Sequence, residues 1–303
     1  MRKFGIILVL ISVLLVQASN IVFAVDGEGA NLAEKYELLK EENKRLRDEI
    51  LNLRNQLSHS PAEKIPVLMY HHLLMEEDID KYNWSKNSSV LSVEVFQEQM
   101  DYLYENGFYT ATLDELQAFL DEKITLPEKT VVITFDDGYF SNALYAYPIM
   151  KEYNFRGTIF MLGYRVDAPQ QTFDPSDTQS LSLKRAYKYR DVFDYESHTY
   201  KLHDMDDKRE PLLLSSDEKT ILEDLVKNKE LLNAKYFAYP NGKYDENTLE
   251  YLKETGHEMA FTIKQGYVTK DLNRYELPRF AISPHKMPFS RFMRIVNGKY
   301  EIN

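Results

Sequence analysis

Apolar positions between Leu32 and Leu57 recur at alternating steps of four and three. Leu32, Tyr36, Leu39, Asn43, Leu46, Ile50, Leu53 and Leu57 form one unbroken heptad seam. Leu32, Leu39, Leu46 and Leu53 take the d positions, with Tyr36, Asn43, Ile50 and Leu57 at a. A single Asn at a with Leu at every d favours a parallel two-stranded coil, so the pattern predicts a homodimer through Leu32–Leu57. Glu42 facing Arg47 and Glu49 facing Arg54 of a partner suit that register, while Lys35 facing Lys40 opposes it. The alternative left open is a lone amphipathic helix, because fewer than four heptads make a short coil. Ser58 to Lys64, with Ser60-Pro61, reads as a linker (58–64) to a single following domain, 65–303.

Beyond the linker the pattern changes to short apolar runs alternating with amphipathic stretches, the mark of an α/β fold with a parallel sheet. Ile65–Tyr70 reads as a strand, and Met75 to Ser92 as a polar loop carrying Trp84, the only tryptophan. An aromatic there could stack on a ligand or simply pack. Ser92 caps a helix to Glu105 whose buried side is Val95, Phe96, Met100 and Leu103, and Asn106-Gly107 stops it. A short helix over Leu113–Leu120, a strand from Thr130, a helix over Ser141–Tyr153 despite Pro148, and strands at Thr158–Leu162 and Phe193–Glu196 follow. Ser216 reads as the cap of a helix to Ala234 with Ile221, Leu222, Leu225 and Leu231 inward. Phe237 to Gly242 is a strand end entering a Pro-Gly turn, and His257 reads as a solvated residue at a helix end. Asp167 to Ser182, polar with two prolines, reads as an insertion near the site without an assigned role.

Composition narrows the class. An apolar fraction of 44% is enough for a real core. Met1-Arg2-Lys3, the apolar run Gly5 to Val16 and Val22-Phe23-Ala24 predict a signal peptide over 1–24; an uncleaved membrane anchor is the alternative, since apolar residues persist to Val25. The absence of cysteine excludes disulfides and a Cys-linked lipid anchor. Export without disulfides suits a protein secreted to, or held on, the outer surface of a Gram-positive bacterium. Removing Arg2 and Lys3 with the leader takes the net charge from −11 to −13, which argues against nucleic acid as a partner.

Chemistry concentrates at Val131–Gly138, VVITFDDG. A buried strand there delivers Asp136 and Asp137 to its carboxyl end, where α/β barrels place their active sites. Neighbouring residues of a strand point to opposite faces, so the two carboxylates diverge unless the strand has ended and the turn allowed by Gly138 re-aims one of them. An Asp-Asp-Gly turn alone is ordinary. A second cluster, Ser197-His198-Thr199 and then His203, in a chain with seven histidines changes the balance, since one Asp and two His make a divalent-metal triad with open positions. Five residues separate the two histidines, about 500° on a helix, so the rings would sit roughly 140° apart. An irregular turn must carry them. His71, after the strand-terminal Tyr70, is a further candidate.

TFDDGY, SHTYKLH and FAYPNG, in this order and at these separations, resemble the polysaccharide deacetylase (NodB-homology) family, carbohydrate esterase family four, over Ile65 to Val296. The chain is most similar to the branch with Tyr-His near the domain start and Leu-Pro-Arg near its end, which includes poly-N-acetylglucosamine deacetylases. The resemblance implies a distorted (β/α) barrel, preceded here by the coiled-coil helix. It also implies that Asp137, His198 and His203 bind a divalent metal, zinc by preference, and that Asp136 is the base. The backbone N–H of Asn241 would face the oxyanion, and His71 matches the acid, with His285 the competing candidate. Ala238 stands where many members carry the arginine that holds the base, and Arg279 in Leu277-Pro278-Arg279 is the implied substitute. The implied partner is an N-acetylated glycan polymer, either an exopolysaccharide or peptidoglycan. A non-catalytic glycan-binding scaffold is the rival, opposed by the presence of Asp136, Asp137, His198 and His203 together.

Overall fold

The computed structural model describes residues 32–57, 60–167, 172–282 and 287–302. The predicted leader and His285 lie outside the described residues. The chain divides into two compact units, the first ending at Pro61 and including Thr125–Glu128, the second made of Ala62–Ile124 with the residues from Lys129 onward. In the first, one 26-residue helix covers Leu32–Leu57. Leu46 of the heptad seam and Leu51 off it are buried, Ile50 and Leu53 are half-buried, and Asn43 is exposed.

The second unit is built on a curled, mostly parallel sheet. Its strands are β1 (Ile65–Tyr70), β4 (Tyr109–Thr110), β5 (Thr130–Phe135), β6 (Gly157–Met161), β7 (Phe193–Ser197), β8 (Tyr236–Ala238), β9 (Met259–Phe261), β10 (Tyr267–Val268) and β11 (Phe280–Ala281). The order runs β10-β1-β5-β6-β7-β8-β9, with β4 added to β5 and β11 to β1. Every one of these pairings is parallel except β1 with β10. The segment into β11 joins the two ends: Leu277 bridges to Phe261 of β9, and Phe280 and Ala281 pair with Leu68 and Met69 of β1. The sheet thus curls back on itself, the barrel expected from the βαβ pattern.

Strand alternation assigns the faces. Leu68 and Tyr70 of β1, Val131, Ile133 and Phe135 of β5, Ile159 and Met161 of β6, and Phe193 and Tyr195 of β7 all enter the main hydrophobic cluster. The alternate residues, including Thr134, Phe160 and Glu196, turn the other way, and on β5 that face continues into Asp136. β1 and β5 are buried at every position, as strands covered on both sides must be.

Several local expectations are corrected. Residues 75–92 are not one loop: β2 (His72–Leu74) and β3 (Val90–Ser92) pair in parallel, with a helix at Glu76–Lys81 and a 3-10 turn at Trp84–Lys86 between them. The stretch from Ser141 opens as a π turn over Asn142–Ala146, and Pro148 falls in the first turn of the helix Tyr147–Glu152, where its missing N–H costs nothing. The later long helix is Glu218–Leu232, capped by Asp217 rather than Ser216, with the Asp217 carboxylate accepting from Thr220 N. Its Leu231 is exposed, whereas Asp224 and Asn228 are buried. His257 is not solvated either: it is buried, its ring lies edge-on to Phe237, and burial lowers it to about 3.

On the interior face of β7, burial pushes the Glu196 carboxyl up to about 8 despite hydrogen bonds from the backbone N–H groups of Lys235 and Tyr236 at 2.7 and 2.8 Å. The folded chain therefore holds a proton there that the unfolded chain releases near 4.5. This contribution to stability is complete below that lower value and is lost as pH rises through about 8, at about 1 kcal/mol per pH unit within the window. Glu196→Gln keeps an acceptor oxygen without the charge. Thermal unfolding at pH 5 and pH 8 should show the variant matching the wild type at the lower pH and exceeding it at the higher one; parallel pH profiles would refute the assignment.

Candidate active site

At the end of β5 the backbone leaves the sheet in two steps. Asp136 N still donates to Tyr70 O at 3.0 Å, so Asp136 is held in strand geometry with its carboxylate on the interior face. Asp137 (φ +69°) and Gly138 (φ +65°) then both take left-handed backbone, which turns the second carboxylate back toward the first. Left-handed backbone at a non-glycine residue costs about 1 kcal/mol or more, so the turn needs outside support. Residues 172–182 supply it: Leu181 N donates to Gly138 O at 2.8 Å, Phe140 N donates to Gln179 O at 2.7 Å, and Tyr139 bridges to Ser180. The insertion without a role in the sequence is paired directly with the turn that follows Asp137.

Asp137, His198 and His203 converge. Nε2 of His203 lies 3.1 Å and Nε2 of His198 3.5 Å from Asp137 Oδ1, and one donor atom from each residue falls within 4.8 Å of the others. Oδ1 is buried and has no aligned hydrogen-bond donor, although the ring nitrogens are close. One carboxylate and two imidazoles within that reach of one another are a donor set that suits a divalent cation. His198 Nδ1 sits 2.7 Å from Ala238 O, which can only accept, so Nδ1 carries a proton and Nε2 is the nitrogen that faces the cluster. Burial opposes ionisation of Asp137, but the two rings, with His71 nearby, hold its carboxyl well below the usual range. Burial likewise disfavours protonated His203, and its contact with Asp137 overrides that to raise it. Residues and chemistry therefore fit a divalent ion.

Asp136 belongs to a different partner. Arg279, with no exposed surface, grips it with both arms, Nη1 to Oδ1 at 2.7 Å and Nη2 to Oδ2 at 2.8 Å. The guanidinium is itself fixed by Nε donating to Thr262 O at 3.0 Å and Nη1 to Thr134 Oγ1 at 3.3 Å. Burial works against the Asp136 charge, yet Arg279, with His198 and His71, keeps the carboxyl below its ordinary value. His71, half-buried, places Nε2 4.0 Å from Asp136 Oδ2, and its Nδ1 is buried without a hydrogen-bond partner. Asn241 is left-handed (φ +54°) in the turn after β8, and its side-chain Nδ2 donates to His203 O at 3.1 Å. Asp136, Asp137, His71, His198, His203 and Arg279 are thus brought together, with Asn241 beside the second histidine.

The sequence leaves His72, beside His71, as structural or solvated and gives Tyr139 no role. His72 is buried, its Nδ1 2.8 Å from Ser141 Oγ, its ring stacked on Tyr139 at 4.8 Å and edge-on to Trp84. Burial lowers it to about 4, so it is neutral packing beside the motif. Trp84 is half-buried and donates from Nε1 to Pro175 O at 2.8 Å, tying its turn to the segment that supports Asp137.

Breaking a buried ion pair from one side leaves a bare charge. Arg279→Met should therefore cost about 3–5 kcal/mol of stability in urea unfolding. Adding Asp136→Asn to that variant should restore much of the loss, because no charge is then stranded. Wild-type stability in Arg279→Met would contradict the geometry.

Comparison with known proteins follows the same lines. Residues 123–260 match the polysaccharide deacetylase family. The chain is 30% identical over 230 residues to YxkH of Bacillus subtilis, described as a candidate polysaccharide deacetylase, covering 75% of this chain and 74% of that one. It is 31% identical over 207 residues to the poly-beta-1,6-N-acetyl-D-glucosamine N-deacetylase of Staphylococcus aureus, covering 65% and 69%. IcaB from Ammonifex degensii superposes with a TM-score of 0.64 at 24% identity over 79% of this chain and 99% of that one. The Streptococcus pyogenes deacetylase PplD, in complex with acetate, gives 0.65 at 21% identity over 78% and 99%. Structural likeness at that identity speaks to the fold alone, and it is the same curled barrel. Sequence identity over more than two thirds of the relatives' lengths carries the remaining step: the chain belongs to the polysaccharide deacetylase family.

Proposed function

We propose that this protein is a metal-dependent hydrolase that removes N-acetyl groups from GlcNAc residues of an extracellular polysaccharide and releases acetate. The observation that carries the reading is the juxtaposition of the Asp137–His198–His203 cluster with a second carboxylate, Asp136, withheld from it by Arg279. The name of the Staphylococcus aureus relative supports a poly-β-1,6-linked N-acetylglucosamine over peptidoglycan.

Asp137, His198 and His203 would hold the ion, zinc by preference from two imidazoles and one carboxylate. Such an ion polarises a carbonyl and lowers the pKa of water. The chain's own groups do the rest. Asp136, ionised and unable to rotate in the grip of Arg279, takes the proton of the attacking water. The backbone N–H of Asn241 donates to the oxyanion as the acetyl carbon becomes tetrahedral. His71 gives a proton to the departing sugar nitrogen, so the amine leaves neutral and acetate is the second product. The apolar leader supports export, and no helix among the described residues is long and apolar enough to cross a membrane.

Acetate release by the full-length chain from poly-β-1,6-GlcNAc oligomers and from peptidoglycan tests the reading. Release should stop on chelation and return with zinc, and Asp136→Asn should lower kcat about a hundred- to ten-thousandfold. Chelator-resistant release, or none from either polymer with metal bound, would turn the reading toward a glycan-binding scaffold. The heptad seam supports parallel pairing of two chains through Leu32–Leu57. Sedimentation equilibrium should give a dimer mass, and a monomer at tens of micromolar would refute the pairing.

A further inference from the structure

The five-residue spacing of His198 and His203 rules out a helix between them, which raises the question of what holds the connecting backbone. His198 directly follows β7, with its N–H on Met161 O at 3.1 Å. Thr199 then takes left-handed backbone at φ +74°. On one side, Gly163 N donates to Thr199 O at 3.1 Å and Tyr164 N to Tyr200 O at 2.9 Å. Those bonds satisfy the carbonyls of the turn. The N–H groups of Tyr200 and Lys201 point to the helix Glu218–Leu232, and a part-buried N–H still needs an acceptor.

That acceptor is Asp224. Its carboxylate receives Tyr200 N on Oδ1 at 2.7 Å and Lys201 N on Oδ2 at 2.6 Å. One helical turn further, Asn228 Nδ2 donates to Met161 O at 3.1 Å and to Ser197 Oγ at 2.9 Å, so the same face of the helix also fixes the strand end that carries His198. Leu202 follows into a cluster with Leu213, Ile221 and Leu225, and His203 emerges 3.1 Å from Asp137. Gly163 is required by this packing, since a Cβ there would sit 2.2 Å from Asn228 Oδ1 and 2.5 Å from Tyr200 Cδ2.

We propose that Asp224 is a positioning residue for the metal centre: by gripping the backbone of Tyr200 and Lys201, its carboxylate sets the separation and aim of His198 and His203. The inference rests on the reading of Asp137, His198 and His203 as ligands. Hydrogen bonds to an ionised acceptor are about twice as strong as neutral ones, and losing them leaves two part-buried donors without that acceptor. The penalty appears where the turn ends, at His203.

The test measures zinc affinity of the full-length protein by competition with a chromophoric chelator, alongside thermal unfolding of the metal-free form. Asp224→Ala should bind zinc about 10- to 100-fold more weakly, the range typical of groups that orient metal ligands. Asp224→Asn should fall between, because its one carbonyl oxygen can still accept from one N–H. Glu223→Ala, at the exposed neighbouring position of the same helix, should leave the affinity unchanged. If Asp224→Ala does not fold, Asp224→Asn carries the test alone. Wild-type affinity in the folded Asp224 variants, with only the unfolding temperature lowered, would overturn the inference and leave Asp224 a purely structural residue. No zinc binding by the wild type would sink the ligand assignment itself, a different and separately visible failure.

Discussion

A guanidinium with no access to water must have its charge met on the spot, and Arg279 meets it with both oxygens of Asp136. Burying such a pair is not in itself a source of much stability, since desolvation offsets most of the attraction. Its effect is to define a unique arrangement. Arg279 lies between Leu277, which bridges to β9, and Phe280, which pairs with β1. Closing the sheet and fixing the carboxylate are therefore one event. A barrel that failed to close there would leave Asp136 charged and unpaired in an apolar interior, with Phe160 beneath the guanidinium.

Around this fixed point the site divides into two kinds of support. Asp136, His71 and His198 stand at strand ends, and their directions follow from the alternation of the sheet. Asp137 and His203 stand beyond the strands, on backbone that no regular element holds. Each of those two is stabilised from outside by hydrogen bonds to peptide groups, the first by residues 179–181 and the second by Asp224 and the 163–164 turn. The less regular the backbone, the more distant in sequence its support.

That division also explains what could be read from the sequence. The β5 strand, its two carboxylates and the glycine turn were legible because apolar periodicity and turn chemistry are local. The histidine pair was legible as a non-helical turn from its spacing alone. Asp224 and Asn228 were not, because a polar residue on an amphipathic helix reads as solvent-facing, and the peptide groups that make burial tolerable lie 23 to 67 residues away. The cap was misplaced by one residue for a related reason, as Ser216 and Asp217 are both good caps and only the backbone decides between them. The segment before Ser182 lacked any periodic signal, since its contribution is made by its main chain.

The grip of Asp224 on Tyr200 and Lys201 has an evolutionary consequence. It engages N–H groups that every amino acid except proline possesses, while the Lys201 side chain is exposed and that of Tyr200 half-buried. The outward chemistry of this loop can therefore drift, acquiring charge or an aromatic surface as the polymer in the environment changes, without disturbing the spacing of the two imidazoles beneath it. Shape on the inner side and identity on the outer side are inherited separately, and proline at 200 or 201 is the one replacement that the arrangement forbids outright.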